Sequence, residues 1–255
     1  MSQEKLFTDE YHNLVDEFLK TKDSTKLKSY IDETVNEAGV PGIDAIITEV
    51  MKRVDAQLIN VKSNPQFEQQ LAMNMLCLMI DAQKEDRDGF DTISMSNIDE
   101  AKFVSTMMKI NDQLMSMPDK IKTDGEIRAI LSHIGSIYNC LRLQYNVLVW
   151  CGQKIKNESR AKAVKYPDEL RKFRNTEYHN NVIPNITDET VFLEDKGPPY
   201  WSETYTFQQV WEKFDLAMAY FSAFTLAQLL ATVHKMLQSA AFIKMKSAQV
   251  HGQLQ

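Results

Sequence analysis

The sequence predicts an all-α fold, a multi-helix bundle of long antiparallel helices with one long irregular loop. Three observations lead there. Glycine (8) and proline (7) are too scarce among 255 residues for the turns of a many-stranded β protein. Apolar residues recur at three- and four-residue steps along most of the chain, whereas strand-like alternation is found nowhere. The composition, 44% hydrophobic and 25% charged, provides a core and excludes disorder.

At the amino terminus Thr8, ahead of Asp9 and Glu10, can cap a helix carrying Leu14, Val15, Phe18 and Leu19, ending before Lys22. Ser24 opens a second, to about Glu37, and Gly39, Pro41 and Gly42 punctuate the connection to the next helix. This third helix, from about Ile43 to Val61, places Ile46, Ile47, Val50, Val54 and Leu58 on one face, and Asn64-Pro65 starts a fourth that runs to Lys84. Asp86-Arg87-Asp88-Gly89 reads as a turn. It is no calcium loop, because Lys84 and Met95 stand where the first carboxylate and the bidentate Glu belong. Ser96, with Asp99 and Glu100, opens a fifth helix limited by Pro118.

Thr123 or Asp124 caps a long helix from Glu126 to Ala163, buried along Ile127, Ile130, Leu131, Ile134, Ile137, Tyr138, Leu141, Tyr145, Leu148 and Ile155. Pro167 begins a short helix with Leu170 and Phe173. From Asn180 to Ser202 the periodicity breaks into a loop with one helical turn after Thr187, and it returns from about Thr206 to Gln249. In that last helix 19 residues between Asp215 and Lys235 carry no charge. Ser222, Thr225, Gln228, Thr232, His234 and the many alanines favour a buried helix over a membrane span. Ala219, Ala223, Ala227 and Ala231 form a small-residue ridge for close helix approach, within the chain or in a homodimer.

Three cysteines give no disulfide framework, and the polar start shows no secretory signal, so a cytoplasmic protein is expected. At this length one or two domains are expected. The net charge of -6 argues weakly against nucleic acid as a partner, yet it divides unevenly. Residues 1–125 hold 14 basic and 23 acidic residues, an acidic region suited to regulation or to a protein partner; residues 126–255 hold 15 and 12. Lys154, Lys156, Arg160, Lys162, Lys165, Arg171, Lys172 and Arg174 lie within 21 residues, against Glu158, Asp168 and Glu169, with Tyr166, Phe173 and Tyr178 interleaved. Such a stripe can hold phosphates and stack bases, though a solvated helix face has the same composition.

The stripe ends in Arg174-Asn175-Thr176-Glu177-Tyr178-His179. This R-N-x-x-x-H resembles the signature of the HEPN superfamily, all-α domains that include metal-independent ribonucleases of toxin and antiviral defence systems. The resemblance covers the motif and, loosely, residues 126–250; Tyr178 stands where family members often have a small residue. It implies catalytic Arg174, Asn175 and His179, an RNA substrate, a homodimer that apposes two motifs, and 2′,3′-cyclic phosphate and 5′-OH ends.

The residues support that chemistry in their own right. His179 can serve as base or acid near neutral pH, and Arg174 offers a permanently charged fork for a phosphate. Asn175 can fix an imidazole tautomer or hold a phosphate oxygen. Residues five apart on a helix are about 140° apart around its axis, so either the helix ends before His179 or two protomers complete the site.

Nothing else in the chain offers a rival centre. His12, His133, His234 and His251 are scattered, which leaves no zinc pattern, and neither Gly-rich phosphate loop occurs, so no metal or cofactor is expected. Cys77, Cys140 and Cys151, and the methionine groups Met73, Met75, Met79 and Met107, Met108, Met115, Met117, read as core. Two readings of the whole are open: a HEPN-like ribonuclease, and a non-catalytic helical RNA-binding or scaffold protein, including an inactive HEPN-fold sensor.

Overall fold

The computed structural model describes residues 3–39, 42–59, 65–96, 110, 120–179 and 181–252. Its elements are α1 (Gln3–Thr21), α2 (Thr25–Ala38), α3 (Ile43–Ile59), α4 (Pro65–Glu85), α5 (Arg87–Ser96), α6 (Asp124–Lys154), α7 (Glu158–Ala163), α8 (Leu170–Tyr178), β1 (Val182–Asn185), β2 (Thr190–Asp195), β3 (Trp201–Thr206) and α9 (Phe207–Gly252). The chain forms two compact units, Met1–Asp86 with Ser222–Gln255, and Arg87–Phe221. The charge boundary at residue 125 falls inside the second.

In the first unit Thr8 lies within α1 and is buried, so it is not the cap the sequence suggested. Ser24 is the N-cap residue of α2, its carbonyl accepting from the Lys28 N–H at 2.8 Å, but its side chain makes no capping bond; the Asp23 carboxylate instead accepts from the Thr25 N–H at 2.9 Å and from the Thr25 hydroxyl at 2.6 Å. Gly39 closes α2 at φ 62, a left-handed turn that a Cβ disfavours, with its N–H on the Val35 carbonyl. On α3 the inward stripe is Ile47, Met51 and Val54, while Ile46 is 53% exposed. Tyr11, Val15 and Phe18 of α1 are buried, as are Leu71, Met75, Leu76 and Met79 of α4. From α9, Phe224, Leu226 and Leu230 are buried, and the Tyr11 hydroxyl donates to the Leu230 carbonyl at 2.7 Å. Ala219, Ala223, Ala227 and Ala231 are buried within the chain, so the small-residue ridge serves the fold of one protomer. Helix α9 is long and apolar enough to cross a membrane, but 67% of the qualifying window is buried inside the protein.

The second unit departs from the expected pattern in three places. Asp86 alone interrupts the helices, and Gly89 lies inside α5, whose Phe90 meets Trp150 at 6.1 Å. The helix expected from Ser96 to Pro118 lies outside the described residues apart from Ile110, which is helical and buried. The long helix expected to reach Ala163 stops at Lys154. There Lys156 takes φ 53 and the Asn157 N–H bonds to the Gly152 carbonyl, and α7 folds back onto Gly152, where a Cβ would come within 3.0 Å of the Ala161 Cβ. At its start α6 carries a reciprocal cap between Thr123 and Glu126.

The third departure is the largest. Residues 182–206, expected as a loop as far as Ser202, form a three-stranded antiparallel sheet in the order β1-β2-β3, so the fold is mainly rather than wholly α. Val182 pairs with Leu193 and Asn185 with Thr190; Thr190 pairs in turn with Thr206, and Asp195 with Trp201. Val182, Val191, Leu193 and Tyr205 turn inward, and Phe173 meets Tyr205 at 5.0 Å. Burial of these four beside Ile127, Ile130, Ile134, Leu170 and Phe173 supplies the stabilisation that a three-stranded sheet lacks alone. In the first hairpin the Asn185 amide donates to the Asp188 carboxylate at 2.7 Å and the Asp188 backbone N–H donates to Asn185 Oδ1 at 3.2 Å, and Thr206 and Gln209 cap the start of α9 reciprocally.

Candidate functional site

The motif lies on α8 and in the turn after it. Leu170, Phe173 and Thr176 are buried on the inner face of that helix, which leaves Arg171, Lys172, Arg174 and Asn175 along its flank and outer face. Gly135 of α6 faces the Arg174 backbone and lets the two helices approach closely. Helix α8 ends at Tyr178 and His179 follows as the first residue of a turn, still placed by the last helical bond, so the end of the helix does not by itself bring His179 to Arg174. His179 is exposed in the turn, its N–H on the Asn175 carbonyl at 3.0 Å. The Asn181 N–H then returns to the Thr176 carbonyl, and the Glu194 N–H bonds to the Asn181 carbonyl, which ties the turn to β2.

That connection brings in a residue that sequence reasoning missed. Asp195, the last residue of β2, accepts the Asn175 side-chain amide at 2.9 Å through Oδ2 and the Gly197 N–H at 3.0 Å through Oδ1. Asn175 in turn accepts from Arg174 Nη1 at 3.2 Å. Asn175 therefore bridges Arg174 and Asp195. The Asn175 amide holds the Asp195 carboxyl below its ordinary range, helped by the Gly197 N–H and by the charges of His179 and Arg171. The signal for Asp195 was present in Asp-Lys-Gly-Pro-Pro, where an Asp two residues before a Gly marks a turn closed by its own carboxylate.

The basic stripe is only partly available to a ligand. Lys154, Lys156, Lys162 and Arg171 are exposed, and Arg160, Lys165, Lys172 and Arg174 are half-buried. Lys165 pairs with Asp168 at 2.6 Å, and Lys172 lies over the Trp201 ring at 4.7 Å. The aromatics expected to stack bases are largely elsewhere. Tyr166 and Phe173 are buried in the core, and the Tyr178 side chain lies outside the described residues. Trp201 beside Lys172, Trp150 beside Lys154 at 5.2 Å and Tyr145 beside Lys165 at 6.0 Å, all half-buried, are aromatics that border the stripe. Nor does the structural division preserve an acidic and a basic half. The first unit has 12 basic and 16 acidic residues and the second 17 and 19, so neither unit is basic as a whole, and within the second the positive excess lies in the stretch from Lys154 to Arg174.

Among the described residues no cluster of His, Cys, Asp and Glu could hold a metal ion. Burial pushes the thiols of Cys140 and Cys151 up to about 12, which disfavours a nucleophilic thiolate at either position. Comparison with protein-family models, with curated proteins and with solved structures gives no match.

Proposed function

We propose that this chain is a metal-independent endoribonuclease of HEPN type, acting on cytoplasmic RNA as a toxin or effector of a defence system. The observation that carries the reading is the hydrogen-bonded run from Arg174 through Asn175 to the Asp195 carboxylate, on which the charge of the exposed His179 also acts. His179 takes the 2′-OH proton or protonates the departing 5′ oxygen. As the 2′ oxygen bonds to phosphorus and the P–O5′ bond breaks, the Arg174 fork stabilises the charge on the phosphoryl oxygens. The products are a 2′,3′-cyclic phosphate and a 5′-OH. Lys154, Lys156, Lys162 and Arg171 supply the exposed cations that guide the backbone, and a homodimer that apposes two such sites would place a second imidazole for the other proton transfer.

The test is cleavage of an unstructured RNA in buffer containing a chelator. Wild type should cleave and leave cyclic-phosphate ends, and Arg174→Ala and His179→Ala should each lower kcat by about 10²-fold or more. If wild type leaves the RNA intact, the enzyme reading fails.

A second reading has one observation in its favour. Nη1 of Arg174 is engaged by Asn175 while Lys154, Lys156, Lys162 and Arg171 are exposed, which suits a surface that binds RNA without turning it over. A non-catalytic helical RNA-binding protein or HEPN-fold sensor would retain RNA affinity in the same assay and release no product.

A further inference from the structure

We propose that Asp195 is a positioning residue of this site, whose carboxylate holds Asn175, and through it the Arg174 guanidinium, against the turn that carries His179. The inference rests on the ribonuclease reading for its purpose, but its geometry is independent of that reading. Both carboxylate oxygens are engaged, Oδ2 by the Asn175 amide at 2.9 Å and Oδ1 by the Gly197 N–H at 3.0 Å, so the group cannot swing. The backbone beneath it is fixed by the pairing of Asp195 with Trp201 across β2 and β3.

The donors run in one direction, from Arg174 to Asn175 to Asp195. With its oxygen committed to a guanidinium and its nitrogen to a carboxylate, the Asn175 amide has a single orientation that satisfies both neighbours. The charged groups around Asp195 are Arg171 and His179, from α8 and its turn, and Glu194 and Lys196 of its own segment, which pair with each other at 3.2 Å. Among these, His179 is the one the proposed chemistry needs to orient. The anion sits on the strand to which the turn carrying His179 is itself tied, through the Glu194 N–H and the Asn181 carbonyl, and a misplacement of 1 Å at such a group is worth about 10²-fold in rate.

A merely structural latch between α8 and the sheet would show as lost stability alone. Asp195→Asn abolishes the charge and presents an amide donor or a single acceptor to Asn175, whereas Asp195→Glu retains the charge on a longer arm. The full-length wild type and these two variants are compared for melting temperature and for kcat and KM on the unstructured RNA. The carboxyl titration of Asp195 is followed by carbon-13 NMR in wild type, Asn175→Ala and His179→Ala. We expect Asp195→Asn to lose about 10²-fold in kcat with little change in KM or melting temperature, and Asp195→Glu to recover part of the loss.

The Asp195 carboxyl should titrate at higher pH once Asn175 is truncated, and also, by less, once His179 is truncated. Wild-type kcat in Asp195→Asn overturns the proposal. So does a titration that neither truncation moves. If wild type itself cleaves no RNA, the ribonuclease reading falls, and the titration alone decides whether Asp195 holds the motif in place.

Discussion

Gly135 of α6 lies against Arg174 of α8, so closely that a Cβ built on Gly135 would stand 3.5 Å from the Arg174 Cα and 3.6 Å from its Cγ. Those are ordinary contact distances for a methyl group and leave no room for more. Gly135→Ala should therefore fold and act as wild type, gaining up to about 1 kcal/mol from the better helix former. Gly135→Leu should push α8 outward and carry Arg174 with it, with a loss of about 1–3 kcal/mol from overpacking. Thermal melting checks the first part, and the RNA cleavage assay checks whether Arg174 has been displaced.

The exposed cations predict a salt dependence. Replacing the exposed Lys154, Lys156 and Lys162 together with Ala removes up to three phosphate contacts from the stretch that precedes the motif. For single-stranded RNA each lost contact lowers the slope of log affinity against log salt by about 0.7, so the triple variant should be flatter by about 2. Lys165→Ala is the control within the same stripe, because its ammonium is already paired with Asp168. Fluorescence anisotropy over a salt series reads both, and an unchanged slope in the triple variant would remove the stripe from the binding surface.

Helices were legible where a long apolar face was buried at a regular step, as along Ile127, Ile130, Ile134 and Ile137. They were illegible where a backbone event intervened. The break at Lys154 comes from Gly152 and the left-handed Lys156, and nothing in the local apolar pattern announces it. The sheet escaped notice because its strands run four to six residues and do not alternate cleanly. Val191-Phe192-Leu193 is a continuous apolar run, and Ile183, 64% exposed, faces away from the core. In β3 only Trp201 and Tyr205 are apolar, a spacing of four that a helix would also show.

The same sheet explains why the site was only half readable. Arg174, Asn175 and His179 stand in one short stretch, whereas Asp195 joins them through a pairing set by Leu193 and Val182, 20 residues from Asn175. Burial cannot be read from a composition either, which is why Tyr166 and Phe173 looked like stacking partners for bases and turned out to be core.

Tyr11 anchors α1 to the first unit's stretch of α9 through one buried hydrogen bond, 2.7 Å from its hydroxyl to the Leu230 carbonyl. Burial raises the phenol well above its ordinary range, so it remains the donor at any working pH. Tyr11→Phe keeps the ring, and with it the contact to His234 at 5.1 Å, while deleting the bond. The expected cost is about 0.5–1.5 kcal/mol, because the Leu230 carbonyl also belongs to a helix. Chemical denaturation monitored by circular dichroism measures it, and a loss near zero would mean that the hydroxyl contributes nothing net.

Glu68 gives a pH dependence whose sign can be worked out. It lies in the first turn of α4, 5% exposed, and its Oε1 has no hydrogen-bond partner among the described residues. Burial pushes its carboxyl up to about 8 from 4.5, against an opposing pull from Lys22. Between those values the folded chain keeps a proton that the unfolded chain has released. The stability associated with Glu68 is therefore full below about pH 4.5, declines by up to about 1.4 kcal/mol per pH unit above it, and is gone above about pH 8. Glu68→Gln mimics the protonated form at every pH and has no such slope. The variant should match wild type at pH 4.5 and exceed it at pH 8 by up to about 10–20 °C in melting temperature, at about 2–4 °C per kcal/mol for a chain of this size. Melting curves of both proteins across that range decide the matter: a difference that stays constant with pH would show that Glu68 is ionised in the folded protein and that its burial is offset by some other group.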